Sequence, residues 1–236
     1  MKEAIEKIVS MAGIQVVEGA GRPYRNDTMA ALPRPLNQPV TVNMHTLSGL
    51  CDYLTHDIDH DVAKMGVLVG SHEHAMVVTD TIGDFNQRFF MADAKPYVGR
   101  QFKFGQYVDP EQFIVDVQSC FVQDDTTAAL LKIIGNLQSE QVATVVDDGV
   151  SQQVTAKAGV ARVSNVVLPN PVVLRPFSSF QEIEQPARRF VLRVRRGASL
   201  PEIALFESSD EQWKLAAVKS IKEYITANAP GVLVLA

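Results

Sequence analysis

The chain has 236 residues, 46% of them hydrophobic and 21% charged, with a formal net charge of −5. That length and apolar content supply a sizeable core. The negative balance excludes a general attraction to nucleic acid or to an anionic membrane, so any anion binding has to come from a local basic patch.

At the start of the chain Ile5, Ile8, Val9 and Ala12 fall at helical spacing and Gly13 ends the helix. Glu3 and Glu6 interrupt this segment, which argues against a signal peptide. No stretch approaches the roughly 18 apolar residues of a membrane span, so a cytoplasmic location without membrane contact is expected. "IQVVEG" reads as a short strand. From Gly19 to Pro39 the chain is rich in Gly, Pro, Arg and Asn and reads as an extended connector, or as an arm over a neighbouring subunit. Such a length without its own structure is unusual inside a compact domain and motivates the expectation of a homo-oligomer.

"HTLSGLCDYLTH" predicts a short helix with Leu47, Leu50 and Leu54 on one face and Thr46 as its cap. "MGVLVG", "HAMVVTDT" and "QRFFMADA" predict three strands. Asp109-Pro110 opens a helix whose apolar positions are Phe113, Ile114, Val117, Cys120 and Phe121. "DDTTAALLKIIGNL" opens another, again acid-first, and "QVATVVDDGVSQQVTAKAG" is a hairpin about Asp148-Gly149. "NVVLPNPVVLRPF" gives short strands punctuated by Pro169, Pro171 and Pro176, and "RRFVLRVRRGASLPEIALFE" a second hairpin. "SSDEQWKLAAVKSIKEYITANAPG" predicts a long helix. Its expected cap is Ser208 with Glu211, or Ser209 with Gln212. Leu215, Val218, Ile221 and Ile225 are expected to face inward, with Trp213 buried in the first turn. Pro230-Gly231 stops this helix before a final strand, "VLVLA". Helices and strands mix without βαβ regularity, so the expected class is α+β with a mixed, largely antiparallel sheet. The expected parts are a helix and strand over 1–18, the connector over 19–39, an α+β subdomain over 40–100 and a main α+β domain over 101–236.

"FKFGQYVDPEQFIVDVQSCFVQDDTTAALLKIIGNL", "VVDDGVSQQVTAKAGVA", "LPNPVVLRPFSSFQEIEQPARRFVLRVR" and "ALFESSDEQWKLAAVKSIKEYI" resemble the YfdQ-like proteins of phages and prophages. The resemblance covers residues 100–236 well and the earlier part weakly. It implies a phage or prophage origin and expression inside a bacterium. None of its phrases is a catalytic motif, and it supplies no active-site residues.

All five histidines lie between His45 and His74. His56 and His60 are spaced for one helix face, and His72 and His74 for one strand face, so the four are weak candidates for a metal site. The order in "HDIDHD" fits no known zinc spacing, however, and polar surface histidines are the plainer reading. Cys51 and Cys120 sit in helical apolar stretches without CxxC spacing and read as reduced core thiols. No nucleophile elbow, phosphate loop or dinucleotide fingerprint is present, so no catalytic residue and no cofactor are expected.

The clearest local positive charge is "ARRFVLRVRRG". On a strand, Phe190, Leu192 and Val194 face the core, while Arg189, Arg193 and Arg195 share the other face with Val191. Guanidiniums at that spacing suit phosphates, and Arg175, Arg188 and Arg196 stand near enough to add to them. Against this stands a solvated face paired with Glu202 and Glu207, or with Glu182 and Glu184. Arg22, Arg25 and Arg34, with Tyr24, form a second patch in the connector.

The leading expectation is a non-enzymatic binding protein for an anionic, nucleotide-type ligand, such as a host immune signal sequestered by a phage. The alternatives are a single-stranded-DNA-binding accessory factor for phage replication or recombination, a structural or assembly protein, and a metal-dependent hydrolase built on the histidines.

Overall fold

The computed structural model describes residues 2–11, 13, 16–19, 22–25, 39–56, 65–81, 86–97, 99–138, 141–147, 152–158, 162–167, 170–198 and 200–236. They fall into two units, residues 1–40 with 79–89, and residues 41–78 with 90–236. In the first, α1 (Lys2–Met11) is followed by Gly13 at φ 67°, a left-handed geometry that suits glycine. Then β1 (Val16–Gly19) pairs antiparallel with β2 (Arg22–Arg25). The start of the expected connector is thus a strand: paired to β1, the backbone of Arg22–Arg25 finds ladder hydrogen bonds that an open arm would leave to water. Arg34 and the Pro33–Pro35 stretch lie outside the described residues.

The second unit is built on a mixed five-stranded sheet. Its elements are β3 (Val42–Met44), α2 (Leu47–Thr55), β4 (Met65–Ser71), β5 (His74–Thr79), β6 (Phe90–Ala94) and, from the far end of the chain, α5 (Gln212–Asn228) and β13 (Leu233–Leu235). The strand order is β13-β4-β5-β6-β3, with β13 parallel to β4 and β3 parallel to β6. Alternation decides the faces: Val67, Val69, Ala75 and Val77 are buried, while Leu68 and Gly70 between them are exposed. Helices α2 and α5 pack on each other and on this sheet through Leu50, Leu54, Ala217, Ile221 and Ile225.

Between β6 and α5 come α3 (Pro110–Cys120), α4 (Asp125–Gln138), β7 (Gln141–Asp147), β8 (Gln152–Ala158), β9 (Arg162–Val167), β10 (Val172–Leu174), β11 (Arg188–Arg196) and β12 (Pro201–Glu207). Strands β7-β8-β9 and β10-β11-β12 form two antiparallel sheets. Phe113, Val117, Phe121, Leu130 and Ile134 of the helical layer meet Leu174, Phe190, Leu192, Ile203 and Leu205 in one buried cluster. The class is therefore α+β. Among the described residues no helix is long and apolar enough to cross a membrane.

The acid-first helix starts work as capping chemistry requires. Asp109, in extended backbone, accepts from Gln112 N at 2.9 Å, and Pro110 fills the first position, where no amide partner is needed. Asp124 accepts from Thr127 N at 2.9 Å; these bonds outweigh its slight burial and hold its carboxyl below the usual range. Asp109→Ala is expected to cost about 1 kcal/mol, measured as a shift in denaturation midpoint. Asp109→Asn, which keeps the acceptor, is expected to recover most of it.

The last helix differs from its sequence reading in three respects. Its cap residue is Glu211, without a side-chain cap bond, while Ser209 Oγ donates to Glu207 Oε1 at 2.9 Å. The inward face is Ala217, Ile221 and Ile225; Val218 is half-buried and Leu215 is 72% exposed. The small alanine allows close approach, and the sheet below takes the i, i+4, i+8 row rather than the row of the largest residues. Trp213 is half-buried and not enclosed, with one ring face covered by the Arg188 guanidinium. Gly231, at φ 88°, turns the chain from α5 into β13.

Candidate functional site

Of the four candidate metal ligands, the three that are described, His56, His72 and His74, are not gathered. His56 caps α2, its Nδ1 2.9 Å from Asp52 O, and His60 lies outside the described residues. His72 falls in the β4–β5 turn, so its ring leaves the strand alternation and stands edge-on to Trp213 at 4.9 Å. Burial there pushes its imidazole below the ordinary value. His74 instead places Nε2 2.5 Å from Asp93 Oδ1 on β6, and Lys95 Nζ holds the other carboxylate oxygen at 2.8 Å. Burial alone would raise the Asp93 carboxyl, but these two partners outweigh it and hold it below its usual range. Among the described residues no group of three or more His, Cys, Asp or Glu is placed to hold a metal ion.

The two cysteines are buried and unbonded to each other. Burial, with Asp52 and Glu182 nearby, pushes the Cys51 thiol up to about 11. Burial, and then Asp116, raise Cys120, whose Sγ donates to Arg100 O at 3.2 Å. In both, burial works against the thiolate that nucleophilic chemistry needs.

Strand β11 keeps its expected alternation. Phe190, Leu192 and Val194 are in the core; Arg189, Arg195 and Arg196 are exposed and Arg193 is half-buried. Two of the expected anion contacts are taken by carboxylates. Arg195 Nε reaches Glu202 Oε2 at 2.6 Å and lies over the Tyr107 ring, 4.0 Å from its centre. Arg175 pairs with Glu184 at 3.2 Å. The middle of the arginine face is also covered: Ala204, directly opposite Arg193, is wholly buried, and β7 and β8 approach β11.

Arg188, the first residue of the strand, follows the parity of the core and turns inward. It is 7% exposed, stacked over Trp213, Phe104 and Phe190 at 4.4, 5.1 and 5.4 Å, paired bidentately with Glu207, and donates to Ser178 Oγ at 2.9 Å. Even-numbered register with Phe190 was the signal for this placement.

The Ser178 end of that chain of contacts opens on a cleft of about 700 Å³. Its walls come from the start of α2 (His45, Thr46, Ser48), the β4–β5 turn (Ser71, Glu73, His74), the segment after β6 (Lys95, Tyr97, Arg100), Ser119 of α3, and residues 177–182. Each wall is tied down. Glu182 Oε1 accepts from Leu47 N at 2.8 Å and Ser48 N at 3.2 Å, and Thr46 Oγ1 from Gly49 N at 3.1 Å, so the first amides of α2 are satisfied by side chains. Ser179 Oγ donates to His72 O, and Phe177 N to Cys120 O at 2.9 Å. Lys95 N donates to Met44 O at 3.0 Å, and Arg100 pairs with Asp116. The lining is hydroxyl-rich, and Lys95 and Arg100 face it together with Glu73 and Glu182. Sequence reading missed the cleft, because its walls come from five separate stretches and no motif marks them.

No protein-family model, curated protein or solved structure matches the chain. The phage-family resemblance therefore rests on the quoted phrases alone.

Proposed function

We propose that the chain is a non-catalytic binding protein for a small anionic ligand, and that the cleft, not the arginine strand, receives it. In a phage-infected bacterium such a protein would act by sequestering a host signal. The observation that carries this reading is the concave, hydroxyl-lined volume of about 700 Å³ with Lys95 and Arg100 on its wall. That volume lies in the range of about 300–1,000 Å³ typical of small-molecule sites. Lys95 and Arg100 hold carboxylates just as Arg195 and Arg175 do, but the arginine strand offers less, since the middle of its arginine face is covered. His74, on the cleft wall, commits Nε2 to Asp93.

The test is calorimetric titration of the protein with small phosphate- and carboxylate-bearing compounds. Lys95→Met is expected to weaken binding roughly 10- to 150-fold, the loss of one charge-assisted contact worth about 1.5–3 kcal/mol. Unchanged affinity in that variant would place the ligand elsewhere.

One observation favours a second reading, single-stranded DNA on the basic strand. Tyr107 lies under Arg195 and within 5.9 Å of Phe206, which is 37% exposed, so aromatic rings do accompany the arginines. Binding of an oligonucleotide that falls steeply with salt and is lost in Arg195→Ala would favour it over the cleft.

A further inference from the structure

The least expected feature of the cleft is the ring of Tyr97. It stands on the cleft wall yet is 76% exposed. Isolated exposed tyrosines are ordinary and need no explanation. This one is not isolated. The His45 imidazole stacks on it, ring centres 4.0 Å apart and planes 28° from parallel. His45 is itself held, its Nδ1 2.9 Å from Lys95 O, and the Lys95 amide donates to Met44 O at 3.0 Å. Both rings are thus fastened to the β3–β6 edge of the sheet, where β3 runs parallel to β6 in fixed register. A ring supported by a second ring and anchored to a strand pair is a prepared surface for another flat group. Little conformational entropy is left to lose when one arrives.

The charge on the walls limits what that group can carry. Lys95 holds Asp93 at 2.8 Å and Arg100 holds Asp116, each from one side only, since the two cationic side chains are 59% and 49% exposed, and Glu73 and Glu182 add negative charge to the walls. A polyphosphate would bring more negative charge than these two cations could offset at close range. A single phosphate is what Lys95, two residues from Tyr97, can meet.

We propose that the cleft takes a nucleoside monophosphate, its base laid on Tyr97 and its phosphate directed to Lys95 and Arg100. This rests on the reading of the cleft as the ligand site and adds the class of ligand. The hydroxyls of Ser48 and Ser178, which line the same cleft, supply hydrogen-bonding groups for the sugar and the base edge.

The experiment is a titration of the full chain with AMP, GMP, CMP and UMP, with ATP, and with ribose 5-phosphate and inorganic phosphate as ring-free controls. Nucleoside monophosphates are expected to bind at least tenfold more tightly than ribose 5-phosphate, and no more weakly than ATP. Tyr97→Ala is expected to weaken them roughly 5- to 150-fold, the range for one base stacked on one aromatic side chain, while leaving ribose 5-phosphate unchanged. Tyr97→Trp, which keeps a stacking face, is expected to retain binding. Circular dichroism and thermal melting of both variants check that the fold is kept, which an exposed side chain allows. Ribose 5-phosphate binding as tightly as AMP, with Lys95→Met weak and Tyr97→Ala unaffected, would overturn the stacking proposal and leave the anion site standing. Binding of none of these compounds would overturn both.

Discussion

Replacing Arg188 with alanine is expected to lower stability by about 3–5 kcal/mol, because breaking a buried ion pair from one side leaves its partner uncompensated. Glu207 keeps some contact with water, its side chain being 29% exposed, so the lower end of that range is the better guide. For a chain of this size the loss corresponds to about 6–20 °C in melting temperature. Three aromatic faces and the Ser178 hydroxyl lose their partner at the same time. Arg189→Ala, one residue along on the exposed face, is the control and is expected to change stability by less than about 0.5 kcal/mol. Equal effects from the two substitutions would show that Arg188 is not a structural centre. The pair also has a pH signature. Burial by itself raises the Glu207 carboxyl, but the hydrogen bonds from Arg188 and Ser209 outweigh burial and hold it below its ordinary value of 4.5. A depressed carboxyl contributes stability that is fully present above the unfolded-state value and is lost as pH falls through the folded one. Wild-type stability is therefore expected to decline on acidification below about pH 4.5, with a shallower decline in Arg188→Ala. Denaturant midpoints at neutral pH and at two acidic pH values measure both effects.

The second large effect is expected at Phe121, a wholly buried ring at the end of α3. It meets Phe102, Phe104 and Phe190 edge-on at 5.1, 6.3 and 6.2 Å. Phe121→Ala is expected to cost about 3–5 kcal/mol through lost burial and the cavity left among rings that cannot all move in. Phe121→Leu keeps most of the volume and is expected to cost markedly less. The backbone at this point has a second role. Phe121 bridges to Pro176, Val122 N donates to Arg175 O, and Phe177 N to Cys120 O, so the ring sits where the Phe177–Ser179 wall of the cleft is attached. Amide exchange at Val122 and Phe177 is therefore expected to speed up in Phe121→Ala more than exchange in β4 and β5, which belong to the five-stranded sheet. Equal acceleration at Val122, at Phe177 and in the five-stranded sheet would show that the wall has no local dependence on this ring.

The two substitutions differ in how far the sequence foretold them. Phe121 was legible as a core residue, because it follows Phe113, Val117 and Cys120 at helical spacing behind an Asp-Pro start. Arg188 was legible only as charge. Parity along β11 set it on the side of Phe190, yet its neighbours Arg189 and Arg193 drew it into a basic patch. Its partners arrive from Glu207, Ser178 and Trp213, none of them near in the chain. The His72–His74 spacing misled for a related reason. Two residues apart means one face only while the strand continues, and here the turn at residues 72–73 sends the rings to Trp213 and Asp93.

Local chemistry, by itself, determined where Thr46, Asp109 and Asp124 start helices, where Gly231 ends one, and which residues of β4, β5 and β11 turn to the core. These follow from hydrogen bonds and side-chain periods spanning four residues or fewer, which any stretch of chain carries within itself. Only the tertiary structure decided that β13 would lie parallel to β4, that Glu182 would cap α2, that Arg188 would be enclosed, and that His45, Lys95, Tyr97 and Ser178 would face one cleft. Periodicity says which face of an element must be covered; what covers it depends on contacts across the whole length of the chain, and those are set by packing rather than by spacing.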